Sequence, residues 1–130
     1  MFCNRGTSGI DGSTSTAIGA SVVQATPTLL ITGDLSFFYN SNALWCNYIP
    51  KNLKIIVVNN AGGGIFRILP TDKGTPFFET FQETTHSLTA KHLCAMYGFT
   101  YLCAQNQEEL TKTLETFFSQ YESPMLLEVF

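Results

Sequence analysis

Asp34 follows a glycine at the end of the apolar run TLLITG, and the run LKIIVV passes straight into Asn59, Asn60, Ala61 and the glycines 62 to 64. A carboxylate, a side-chain amide and exposed backbone carbonyls are hard oxygen donors. That set suits Mg²⁺, which prefers octahedral geometry and shares its shell with phosphate and water. Glycine lets a carbonyl turn inward and phosphate approach the backbone. A helix opening at Asp34 would present free N–H groups and a positive dipole end to an anion. Asp34 and Asn60 lie about 26 positions apart, the length of one helix plus one strand. If the two runs are neighbouring strands, both clusters border one crevice at the carboxyl ends, where open parallel sheets collect ligands. Singly, Asp34 could be only an N-cap and NNAGGG only a turn; together, at this spacing, they describe a metal–diphosphate site.

Such a site needs strands and helices in alternation. A Gly-rich loop leads to a helix with Ile18, Val22 and Ala25 on one face, ended by Pro27. Residues 28–32 read as a strand covered on both faces, 35–49 as a helix ended by Pro50, and 53–58 as a second buried strand. Residues 70–87 form an irregular excursion with a helical turn near 78–82. A helix over 89–97 stops at Gly98, and strand 99–104 follows. Helix 107–121 carries Leu110, Leu114, Phe117 and Phe118 on one face and pairs Glu108 with Lys112, and the chain ends on strand MLLEVF. This order predicts an α/β three-layer sandwich with a mainly parallel sheet, and 130 residues make one domain.

Charged residues are 13% of the chain, about half the usual share, while Phe occurs 11 times, so apolar surface is expected to meet another protein surface. No apolar run approaches the roughly 20 residues of a membrane helix, and no signal peptide opens the chain. The expectation is a soluble, cytoplasmic protein. Net charge is -3 without clustered Lys or Arg, which argues against nucleic acid as a partner. Cys3, Cys46, Cys94 and Cys103 form no close pair and read as reduced, mostly buried thiols.

GD followed about 25 residues later by NN resembles the signature of thiamine diphosphate enzymes. That resemblance makes Asp34, Asn60 and the carbonyl of Gly62 the ligands of Mg²⁺ (or Mn²⁺) on the cofactor's diphosphate. NRGTSGIDG (4–12), GDLSFFYNSNAL (33–44) and NNAGGGIFRILP (59–70) further resemble the C-terminal domain of the 2-succinyl-5-enolpyruvyl-6-hydroxy-3-cyclohexene-1-carboxylate synthases of menaquinone biosynthesis. The likeness covers essentially the whole chain, and members are several times longer. It implies a fragment of a transferase that decarboxylates 2-oxoglutarate and adds the succinyl unit to isochorismate. It also implies a six-stranded sheet and a homo-oligomer in which a partner subunit's pyrimidine-binding domain supplies the catalytic glutamate, leaving the fragment inactive alone. Carried over by position, Ser8, Gly9, Ile10, Gly33, Leu35, Ser36 and Ile65 line the cofactor with the metal ligands, Ile10 being its apolar wedge. Arg5, Ile65, Phe66 and Leu69 face the substrate. Ala61, where Asn or Asp often stands, and Asn40, where Asp is frequent, depart from the pattern.

Other motifs carry less. GTSGIDG follows no strand and lacks GxGxxG spacing, and no GK[ST] marks a P-loop. His86 and His92 read as solvated or packing histidines, and Ser13 to Thr16 as a helix start. Two rival readings stay open: another thiamine enzyme, of acetolactate synthase or 2-oxoacid decarboxylase type, and a non-catalytic assembly domain.

Overall fold

The computed structural model describes residues 1–3, 9–70 and 73–130. Its centre is an all-parallel sheet of β1 (Thr28–Gly33), β2 (Leu53–Val58), β3 (Thr100–Ala104) and β4 (Met125–Val129), in the spatial order β1-β2-β4-β3. Parallel neighbours require crossovers, and the helices supply them. α1 (Ser13–Val23) precedes β1, and α2 (Asp34–Tyr39) with a 3₁₀ turn (Ser41–Trp45) leads to β2. α3 (Ile65–Ile68), a π-helical turn (Phe78–Glu83) and α4 (Lys91–Tyr97) lead to β3, and α5 (Gln107–Ser119) joins β3 to β4. Ile18, Phe37, Leu44, Ile55, Cys94 and Leu126 fill one face of the sheet, beneath α1, α2 and α4. Phe117, Met125 and Leu127 fill the other, beneath α5. The predicted three-layer α/β sandwich is present, with four strands among the described residues rather than the six that the resemblance implies.

Several boundaries and faces differ from expectation for tertiary reasons. The helix foreseen over 35–49 breaks at Asn40, which is buried because its Oδ1 accepts from both the backbone N and the Oγ of Ser15. It thereby satisfies a donor in the first turn of α1, whose N-cap, Gly12, has no side chain to do so. Only an acceptor is needed there, so Asn serves where Asp is frequent. The buried face of α1 is Thr14, Ile18 and Ser21, not Ile18, Val22 and Ala25. Small polar residues sit against the sheet, a choice invisible to an apolar pattern. β1 is an edge strand covered on one face only, with Leu29 and Ile31 exposed, because α5 roofs the other half of the sheet. Phe118 is also exposed and rests edge-on against buried Phe117, outside the Leu110, Leu114, Phe117 stripe. The Glu108–Lys112 pair forms as predicted. Gly98 ends α4 in the left-handed conformation, φ 75°.

The four cysteines are free, but only Cys94 is buried; Cys46 is half-buried and Cys3 and Cys103 are exposed. Burial, then the negative charge of Glu128, pushes the Cys94 thiol up to about 12. The Tyr101 phenol is also raised, first by burial and then by Glu128. Both groups keep in the folded chain protons that the unfolded chain gives up, at ordinary values of 9.0 and 10.0. Their contribution is therefore complete below about pH 9 and is lost as pH rises, at up to about 1.4 kcal/mol per pH unit for Cys94. Urea unfolding between pH 7.5 and 10.5 is expected to show this alkaline decline, and Cys94→Ala to flatten its first part. A stability that stays level to pH 10.5 would contradict it.

Candidate functional site

β1 and β2 are direct neighbours with Gly33 opposite Val58, so the two clusters singled out in the sequence meet at the carboxyl edge. Asp34 is 3% exposed. Its Oδ1 accepts from the N–H of Leu35 at 2.7 Å, and its Oδ2 from the N–H of Gly62 at 2.9 Å. Asp34 is the first residue of α2 rather than its cap, and the carboxylate serves the neighbouring turn. α2 has six residues, so it offers an anion individual N–H groups more than a full dipole.

The two asparagines divide the work. Asn59 is buried: its Nδ2 donates to the Leu88 carbonyl (2.9 Å) and to Glu128 Oε1 (2.8 Å), and its Oδ1 accepts from the N–H of Ala61 (3.1 Å). Asn60 is exposed and lies over Gly64, where a Cβ would come within 2.5 Å of its Nδ2. The second amide of the pair is thus the one available to a ligand. Gly62 has φ 147°, and a Cβ there would come within 2.9 Å of the Glu83 carbonyl. Glycine is needed first so that the chain can pack on itself, and this adds a cause to the ligand approach read from the sequence. Ala61 holds φ 62°, a region that Asn tolerates better, which explains the residue more usual there.

Ile10 and Ser36 are brought together, the Ser36 hydroxyl donating to the Ile10 carbonyl at 2.6 Å with Ser13 Oγ 3.0 Å away. The Ile10 side chain is exposed, and Gly9 is exposed beside it. Ser13 otherwise begins α1, as foreseen. Leu35 is half-buried at the start of α2. Ile65 and Leu69 are exposed and Phe66 half-buried on and just after α3, so the trio that the resemblance assigns to the substrate is not core. Arg5 and Ser8 lie outside the described residues.

Residues 2–129 match the family described as thiamine pyrophosphate enzyme, C-terminal TPP binding domain. The chain belongs to this family. It is similar to proteins named 2-succinyl-5-enolpyruvyl-6-hydroxy-3-cyclohexene-1-carboxylate synthase: 58% identical over 130 residues to those of Christiangramia forsetii and Flavobacterium johnsoniae, and 47% identical over 128 residues to that of Porphyromonas gingivalis. These alignments cover 98–100% of the chain but 22–24% of the relatives, so the chain spans about a quarter of their length. Among the described residues no helix is long and apolar enough to cross a membrane.

Two residues of this thiamine pyrophosphate-binding domain escaped the sequence reading. His86, read as solvated or merely packing, is held at the site, its Nε2 3.1 Å from Asp34 Oδ2. His92 is exposed, as expected. Glu128 is wholly buried and accepts from Asn59 Nδ2, Thr89 Oγ1 (2.6 Å), Tyr101 OH (2.7 Å) and the N–H of Ala90. It thereby fixes Asn59 from behind and caps α4, whose own N-cap residue is Ala90. A lone carboxylate inside MLLEVF was the available signal; His86 had no local one.

Proposed function

We propose that these 130 residues are the diphosphate- and Mg²⁺-binding part of a longer thiamine diphosphate-dependent synthase of the kind its relatives are named for. The observation that carries this is the contact between Asp34 and Gly62 across neighbouring strand ends, which supports the reading by bringing the carboxylate to the turn that carries Asn60 and Gly62. Asp34 Oδ1, which accepts one hydrogen bond where Oδ2 accepts two, would hold the ion with the Asn60 side-chain oxygen and the Gly62 carbonyl, and diphosphate and water would be its further ligands. Among the described residues no three His, Cys, Asp or Glu side chains converge on a point. One carboxylate with neutral oxygens fits a site whose further negative charge arrives with the diphosphate.

Bound thiamine diphosphate supplies the carbon nucleophile of 2-oxo acid decarboxylation and carboligation. The chain's own residues orient and shield. Ile10 offers an apolar support, Leu35 and Ser36 stand at the diphosphate end, and Ile65, Phe66 and Leu69 form an apolar wall that excludes water beside the substrate. The substrates in this reading are 2-oxoglutarate and isochorismate, and a homo-oligomer completes the site with the partner's pyrimidine-binding domain. Exposed Leu29, Ile31 and Val58 support burial against further protein. A cytoplasmic location accords with this chemistry.

The test is product analysis on the longer protein with Mg²⁺, thiamine diphosphate, 2-oxoglutarate and isochorismate. Release of CO₂ with formation of the succinyl adduct is expected, and residues 1–130 alone should turn over nothing. Formation of acetolactate from pyruvate instead would favour the acetolactate synthase reading.

A further inference from the structure

We propose that His86 is a positioning residue for the metal site, its Nε2–H holding the Asp34 carboxylate in the orientation a divalent cation requires. The inference rests on the reading above, in which Asp34 is a metal ligand. The N–H of Leu88 donates to His86 Nδ1 at 3.1 Å, so the ring proton resides on Nε2, which donates to Asp34 Oδ2 at 3.1 Å. The ring stands edge-on to Phe38, centroids 5.5 Å apart and planes at 87°, and the side chain is 11% exposed. The backbone N–H of His86 donates to the Ala61 carbonyl at 3.3 Å. One residue therefore grips both halves of the site, the carboxylate after β1 and the turn after β2.

A carboxylate offers about four acceptor directions. For Asp34 the N–H groups of Leu35, Gly62 and His86 take three of them, which stops rotation about the last side-chain bond and leaves a direction for a cation. Ligating carboxylates are commonly fixed in this way, and removal of such a partner costs roughly 10–100-fold in metal affinity. Packing alone would not explain a ring whose proton is assigned by one backbone donor and delivered to the carboxylate.

Two variants separate donation from packing in the longer protein. His86→Phe keeps an aromatic ring against Phe38 and deletes the donor; His86→Gln places an amide N–H near the position of Nε2. The readouts are the Mg²⁺ concentration for half-maximal thiamine diphosphate binding by calorimetry, Mn²⁺ binding by electron paramagnetic resonance, and the melting temperature. His86→Phe is expected to raise the metal requirement about 10–100-fold, and His86→Gln to restore most of that loss. A wild-type metal requirement in His86→Phe would overturn the proposal, as would a His86→Gln protein no better than His86→Phe. Wild-type protein that binds the cofactor without any divalent ion would instead overturn the site reading itself.

Discussion

Asp34→Asn is expected to abolish Mg²⁺-dependent cofactor binding in the longer protein and, with it, turnover. Both oxygens of the carboxylate accept hydrogen bonds from backbone N–H groups, Oδ1 from Leu35 and Oδ2 from Gly62. An amide has one acceptor. Whichever way it flips, its own N–H must face one of those donors in a position that is 3% exposed. The unmet donor costs about 1–3 kcal/mol, and the tips of β1 and β2 are pushed apart where the proposed metal ligands lie. Loss of the negative charge then removes the anionic ligand of the proposed ion. The effect on metal affinity should exceed the roughly 10–100-fold typical of a supporting residue. Asn60→Ala offers the contrast: its side chain is exposed, so the melting temperature should hold while Mg²⁺ affinity falls. Calorimetry with thiamine diphosphate across a Mg²⁺ series, beside thermal unfolding, reads both quantities. An Asp34→Asn protein with an unchanged metal requirement would remove Asp34 from the site.

That pair of residues was legible because their spacing equals one crossover between adjacent parallel strands, and the carboxyl edge is where such a crossover turns. The order of elements was legible for a related reason, since periods of strand and helix hold along each segment. What escaped depends on atoms far apart in sequence. Asn40 ends a helix because Ser15 needs an acceptor, and no feature of residues 35–49 records that need. β1 reads as doubly covered because a continuous apolar run looks the same whether its second face meets a helix of this chain or other protein. The NN pair shows both limits together. The second Asn was singled out by resemblance, but only the structure shows that Asn59 is occupied by Glu128, Leu88 and Ala61. His86 reaches Asp34 across 52 positions, from the irregular stretch that follows the π-helical turn.

The buried carboxylate behind that turn leads to the largest expected effect on stability. Glu128 is 0% exposed, in register with Val57 and Cys103, and four residues direct donors at it. Glu128→Leu would leave Asn59 Nδ2, the N–H of Ala90 and the hydroxyls of Thr89 and Tyr101 beside a hydrocarbon side chain. At about 1–3 kcal/mol for each buried donor left unmet, even partial rearrangement costs a large part of the 5–15 kcal/mol that holds a domain together. Glu128→Gln should be far milder, because the donors are not equivalent. Asn59 presents an N–H to Oε1 and Ala90 shares its N–H between Oε1 and Oε2, so a Gln oxygen at the Oε1 position can still receive both. Thr89 and Tyr101 meet Oε2 through hydroxyls, which can rotate to accept from an amide nitrogen. Urea denaturation is therefore expected to find Glu128→Gln close to the parent, and Glu128→Leu unfolded or several kcal/mol weaker. The turn after β2 should loosen in step, since Asn59 loses the anchor that holds it inward, so any folded Glu128→Leu protein should also need more Mg²⁺ to bind thiamine diphosphate. Equal stability of the Leu and Gln variants would mean that the donors find other partners, and that Glu128 does not hold the turn in place.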